Sequence, residues 1–202
     1  MNEPQDNSAV SLRDFLSTST KFAASAAALG TLPVERFAHG ASPGDTIKVA
    51  LVGAGGRGTG AADQAMQAGS DVKLVAVADV HRDRMDRSLA SLKKHKDQLA
   101  VKEENKFLGF DAYKQAIAQA DVVILATPPG FRPMMFEEAV RQGKHVFMEK
   151  PVAVDGPGIR KVLAAAEEAK KKNLKVAVGL QRHHQPNYQQ SMQRLHDGAI
   201  GD

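Results

Sequence analysis

The chain has 202 residues, 43% hydrophobic and 25% charged, with 27 lysines and arginines against 23 acids and a formal net charge of +4. That balance belongs to a soluble globular fold and excludes a fibrous or largely disordered protein. With no cysteine in the chain, disulfides, thiolate nucleophiles and cysteine-based metal sites are excluded as well.

Residues 1–42 carry a targeting pattern. Ser11-Leu12-Arg13-Asp14-Phe15-Leu16 precedes an alanine-rich stretch, Phe22 to Leu32, and Ala38-His39-Gly40-Ala41 offers small residues suited to cleavage. The hexapeptide resembles a twin-arginine export signal, except that Leu12 stands where the first arginine would be. Two readings stay open: an exported, periplasmic protein, or a cytoplasmic one with a disordered tail. The apolar stretch is about half of what a bilayer span needs, so no membrane span is expected.

From Thr46 onward, near-continuous apolar runs appear at Ile47–Val52, Val72–Ala78, Val122–Ala126, His145–Met148 and Val176–Gly179. Runs without alternation are typical of strands covered on both faces. Between them, Lys106–Leu108 is expected as a short edge strand. Asp111 is placed to cap a helix over Ala112–Ala118, and Gly143 to end one over Arg132–Gln142. Asp155 is placed to open a longer helix, in which Ile159, Val162, Leu163 and Ala166 share one apolar face. Strands alternating with helices imply an α/β fold, a doubly wound parallel sheet of Rossmann type over residues 43–180, with the start of a second α/β domain over 181–202.

The positive excess collects at Lys93, Lys94 and Lys96, and at Lys170, Lys171, Lys172 and Lys175. The second group closes the last long helix, where cations suit the negative end of the dipole. No aromatic residues are interleaved to stack bases, so no nucleic-acid partner is expected.

Gly53-Ala54-Gly55-Gly56-Arg57-Gly58 is a G-x-G-x-x-G placed where the first strand becomes a helix. Gly53 permits the tight turn, Gly55 lets the backbone approach a pyrophosphate, and Gly58 lets the helix pack on the strand. Amides of the opening turn, around Gly56 and Arg57, then face phosphate oxygens. Asp79 follows the last glycine by about 20 residues, the spacing expected of the acid that binds the adenosine ribose. A carboxylate there repels a 2′-phosphate and favours NAD over NADP, although His81 and Arg82 follow immediately and would soften that preference.

Thr127-Pro128-Pro129-Gly130 follows the third strong strand and Glu149-Lys150-Pro151 the fourth. Strand, T-P loop, helix, strand and E-K-P in that order resembles the Gfo/Idh/MocA oxidoreductases. So do Val178-Gly179-Leu180-Gln181-Arg182, Pro186, Tyr188 and Gly198-Ala199-Ile200-Gly201. Arg132 departs from the pattern, standing where relatives often carry histidine. The resemblance implies that Thr127 and Pro128 lie along the cofactor and that Glu149 and Lys150 line its nicotinamide end. It makes Lys150 the catalytic residue, a buried amine that polarises a substrate hydroxyl or relays its proton. It also implies a small sugar or cyclitol substrate, hydride transfer from a secondary alcohol, a homo-oligomer, and a second domain whose antiparallel sheet adds an aspartate and a histidine. On that expectation the chain is cut off as its substrate domain begins, and binds a dinucleotide without efficient turnover.

Arg182 and Tyr188 are candidates for the substrate rim. His183 and His184 would point in opposite directions on an extended segment and make a poor chelating pair, so no metal site is expected. His145, inside a strand, is expected to be structural. Two other functions stay open: an NAD-dependent glycosidase that uses transient oxidation, and a non-catalytic dinucleotide-binding protein, which would keep the glycine loop and Asp79 but not need Lys150.

Overall fold

A computed structural model describes residues 46–201; the export-like hexapeptide and the alanine-rich stretch lie outside them. Six strands, β1 (Ile47–Val52), β2 (Val72–Asp79), β3 (Lys106–Leu108), β4 (Val122–Leu125), β5 (His145–Met148) and β6 (Val176–Val178), form one sheet in the order β3-β2-β1-β4-β5-β6. Every pairing is parallel. Strand order reverses between β1 and β4, and at such a switch point the loops beyond the strand ends splay apart and leave a crevice.

Six helices connect and follow the strands: α1 (Gly56–Gln67), α2 (Arg82–Leu92), α3 (Ala112–Ala118), α4 (Arg132–Arg141), α5 (Gly156–Lys171) and α6 (Pro186–His196). Side chains alternate along β1. Val49 and Leu51 join a core with Met66 of α1 and Met85 and Leu92 of α2, while Ala50 and Val52 join a second core with Ile117 of α3, Phe136 of α4 and Val162 of α5. Two cores on opposite faces explain why the strand reads as an unbroken apolar run.

Local signals set most of the boundaries. Asp155 accepts a hydrogen bond from the Gly158 amide at 2.7 Å and opens α5, and Gly143, at φ +72°, turns the chain out of α4. The last turn of α5 carries Lys170 and Lys171, as the dipole favours. No helix among the described residues is long and apolar enough to cross a membrane.

Three expectations are corrected. The buried face of α5 is Val162, Ala165 and Ala169, whereas Ile159 is 41% and Leu163 61% exposed, and Ala166 is exposed too. Both stripes fit a helical period; alanines at 165 and 169 let α5 approach α4 and the sheet closely, which the bulkier stripe would prevent. β6 is not covered on both faces. It is an edge strand with Val176 37% exposed, because apolar sequence reports tolerance of burial and not the presence of a covering layer. Asp111 precedes α3 but makes no capping bond. Its backbone is already helical and its carboxylate pairs with Lys114 Nζ at 2.6 Å.

Candidate functional site

The glycine loop divides into positions the fold requires and positions it does not. Gly53 has φ +96°, and a Cβ there would stand 2.8 Å from the Ala126 carbonyl carbon and the Thr127 nitrogen. A Cβ on Gly58 would stand 1.9 Å from the Gly53 carbonyl oxygen, so the close approach of α1 to β1 demands glycine. Gly55 and Gly56 are different. A Cβ on either meets nothing within 4 Å, and Gly55 has an extended backbone open to any residue. Their bareness serves the cavity of about 760 Å³ above them, where the opening amides of α1 have no carbonyl partner within the helix. An anionic pyrophosphate fits that cradle in both shape and charge.

Asp79 ends β2 beside this loop. Its Oδ2 accepts from the Ala54 amide at 2.7 Å and its Oδ1 from the His81 amide at 2.8 Å. A carboxylate has about four acceptor positions, so the two amides fix its orientation and leave room for two ribose hydroxyls. Past β3, the Gly109 amide donates to the Asp79 carbonyl at 3.0 Å, which brings Phe110 to the same end of the cavity. Phe110 is 72% exposed and its ring lies 6.2 Å from that of Phe131.

The opposite end is built from the loops after β4 and β5. Thr127, Pro128, Glu149 and Lys150 all line the cavity, as do Gly53, Gly55, Gly56, Arg57, Gly58 and Asp79. Glu149 is buried, and its Oε1 accepts from Arg57 Nε at 2.7 Å and Nη2 at 2.6 Å. The fit around this carboxylate is tight, since a Cβ on Gly179 would lie 2.8 Å from Oε1. Arg57 therefore bridges the phosphate loop and the E-K-P turn, whose Lys150-Pro151 peptide is cis. The expectation that Lys150 is buried is corrected. It is exposed and lines the cavity just past the end of β5.

Arg182 and Tyr188 stand outside this cavity. Arg182 Nη1 donates to the Tyr188 hydroxyl, with the guanidinium 4.8 Å from the ring centre, and both residues are exposed. Their neighbour Gln181 lines the cavity instead. His183 and His184 occupy a 3-10 turn over Gln181–His184, not the extended segment expected, and both are exposed. Nδ1 of His145 accepts from the Lys175 amide at 2.9 Å. No group of three metal-ligating side chains occurs among the described residues.

Sequence reasoning passed over Phe110, Tyr113, Phe131 and Arg84 as lining residues. The available signal was position, since Phe110 and Phe131 each fall just beyond a strand's carboxyl end, where doubly wound sheets bind ligands. It also left Arg132 without a role. That side chain is buried, and burial pulls its pKa below the ordinary arginine value against the opposing attraction of the Glu149 carboxylate.

Residues 47–180 match the model of an oxidoreductase family with an NAD-binding Rossmann fold. The chain belongs to the Gfo/Idh/MocA family. Among curated members it is 32% identical over 158 residues to inositol 2-dehydrogenase 4 of Saccharopolyspora erythraea, covering 77% of this chain and 42% of that protein. A glycosyl hydrolase family 109 protein of Shewanella putrefaciens is 29% identical over 131 residues, covering 63% and 27%. The crystal structure of scyllo-inositol dehydrogenase from Lactobacillus casei, with bound NAD(H) and scyllo-inositol, superposes with a TM-score of 0.61 at 27% identity, over 78% of this chain and 43% of that one. This Gfo/Idh/MocA chain thus spans less than half the length of these relatives.

Proposed function

We propose that this protein acts in the NAD-dependent oxidation of a secondary alcohol on a cyclitol or sugar, and in its reversal. The observation that carries the reading is one cavity with a ribose-binding carboxylate, Asp79, at one end, a lysine, Lys150, at the other and the open glycine cradle between them. Bound NAD would supply the hydride acceptor. The first turn of α1 holds the pyrophosphate, and Asp79 accepts from the adenosine hydroxyls and turns away a 2′-phosphate. Phe110, exposed beside Asp79, presents an aromatic face for the adenine. At the other end Lys150 polarises the substrate hydroxyl or relays its proton to solvent as the carbinol carbon gives up its hydride and the carbonyl forms. Glu149, fixed by Arg57, holds the turn that presents Lys150.

The similarity to inositol dehydrogenases runs through 158 residues and that to the glycosyl hydrolases through 131, which favours a free alcohol over a glycoside as substrate. Because this chain spans less than half the length of its relatives, the test incubates the full-length protein with NAD and either myo- or scyllo-inositol and follows NADH by absorbance. NADH formation that depends on the cyclitol supports the reading. Cleavage of an aryl glycoside with no net NADH would replace it with the glycosidase, and NAD binding without either reaction would leave a dinucleotide-binding protein.

A further inference from the structure

Arg132 opens α4, is 2% exposed and lines the floor of the cavity. Its Nη1 donates to the Glu149 carbonyl at 2.5 Å and also to the Pro151 carbonyl, and its Nη2 donates to the Thr127 carbonyl. Two of these carbonyls flank Lys150 on either side, and the third opens the T-P loop. Nε finds no hydrogen-bond partner among the described residues. Desolvating a guanidinium is costly unless a counter-charge meets it, and the nearby Glu149 carboxylate is already engaged by Arg57. A neutral donor would tie one carbonyl at much lower desolvation cost. Sheet register does not require the arginine, since β4 and β5 pair continuously from Val122–His145 to Leu125–Met148. What a neutral donor or a lysine lacks is reach. Arginine's planar fork spreads five N–H groups over several angstroms, whereas lysine's donors radiate from one atom.

We propose that Arg132 is a positioning residue, clamping the Thr127-Pro128 loop to the Glu149-Lys150-Pro151 turn and so fixing the nicotinamide end of the site. The proposal rests on the reading that these two loops receive the nicotinamide, and the experiment separates the two. Calorimetric titrations with NADH and with ADP-ribose, which lacks the nicotinamide, are made on the wild type and on Arg132→Lys and Arg132→Met. Wild type is expected to bind NADH more tightly than ADP-ribose. Both variants are expected to keep their ADP-ribose affinity within about twofold and to lose the NADH advantage by about tenfold, the scale of one lost hydrogen bond to a charged group. Lysine keeps the charge, so failure of Arg132→Lys to rescue assigns the effect to the fork and not to the electrostatic field; it also carries the test if the methionine variant does not fold. Retention of the NADH advantage in Arg132→Lys overturns the clamp, and equal loss of both ligands reduces Arg132 to a scaffold residue. If the wild type itself shows no NADH advantage, the nicotinamide reading fails and takes the proposal with it.

Discussion

Replacing Gly55 with valine separates the requirements of the fold from those of the ligand. Gly55 sits at φ −71°, ψ −179°, and a Cβ there meets nothing within 4 Å, so valine adopts the native backbone without a clash. Loss of a glycine N-cap costs up to about 1 kcal/mol, and the lower entropy of the unfolded chain returns about 0.4–1 kcal/mol. Thermal unfolding should therefore shift by only a few degrees. Binding behaves differently, because the isopropyl group occupies the space above the opening turn of α1. If it holds the pyrophosphate off two amides, each worth about 1.5–3 kcal/mol to a charged acceptor, NADH affinity falls by about a hundredfold to ten-thousandfold. Calorimetric titration of the folded variant measures this. Gly58→Ala and Gly60→Ala are the controls. The first should destabilise by about 3 kcal/mol, since its Cβ would stand 1.9 Å from the Gly53 carbonyl oxygen; the second should stabilise by about 0.5–1 kcal/mol, being an unobstructed helix-interior position. A valine variant that binds NADH like wild type refutes the phosphate-cradle assignment.

Asp79→Ala should narrow the preference for NAD over NADP by about tenfold without abolishing binding, and should lower Tm because the Ala54 and His81 amides lose their acceptor; an unchanged cofactor ratio would mean that Arg84 or His81 governs this end. In the full-length protein, Lys150→Met should slow single-turnover NADH formation by about a hundredfold, the scale of a lost general acid/base, while the Kd for NAD stays within about threefold. Wild-type rates would make Lys150 a turn residue. Glu138 has its pKa lowered, chiefly by the hydrogen bond from Arg141. A depressed carboxylate contributes stability that is present above its unfolded pKa, near 4.3, and is lost as pH falls through the folded value. Glu138→Gln should accordingly flatten the decline of Tm between about pH 5 and pH 3, and a decline as steep as in the wild type would count against the pair.

The chain alone made the six strands, the helices around them at Ala112–Ala118, Arg132–Arg141 and Gly156–Lys171, and the cofactor class legible, while the helices Arg82–Leu92 and Pro186–His196 went unread. Ile47–Val52 and Val122–Leu125 read as doubly covered strands because an unbroken apolar run is a local property, and the G-x-G-x-x-G loop with Asp79 beyond it is legible because motif spacing belongs to the chain, although the contacts that require glycine at Gly53 and Gly58 are tertiary. Tertiary structure decided what those elements touch. Helical period allowed both Ile159/Leu163 and Val162/Ala165 as the inner face of α5, and only the neighbouring helix chose between them. An apolar β6 became an exposed edge because strand order, not composition, assigns neighbours. Arg57 and Glu149 lie 92 residues apart in sequence and 2.7 Å apart in space, and Arg132 gathers carbonyls from two loops beyond different strands. Such contacts exist only once β4 is set between β1 and β5, and no local pattern of hydrophobicity or backbone preference encodes that placement.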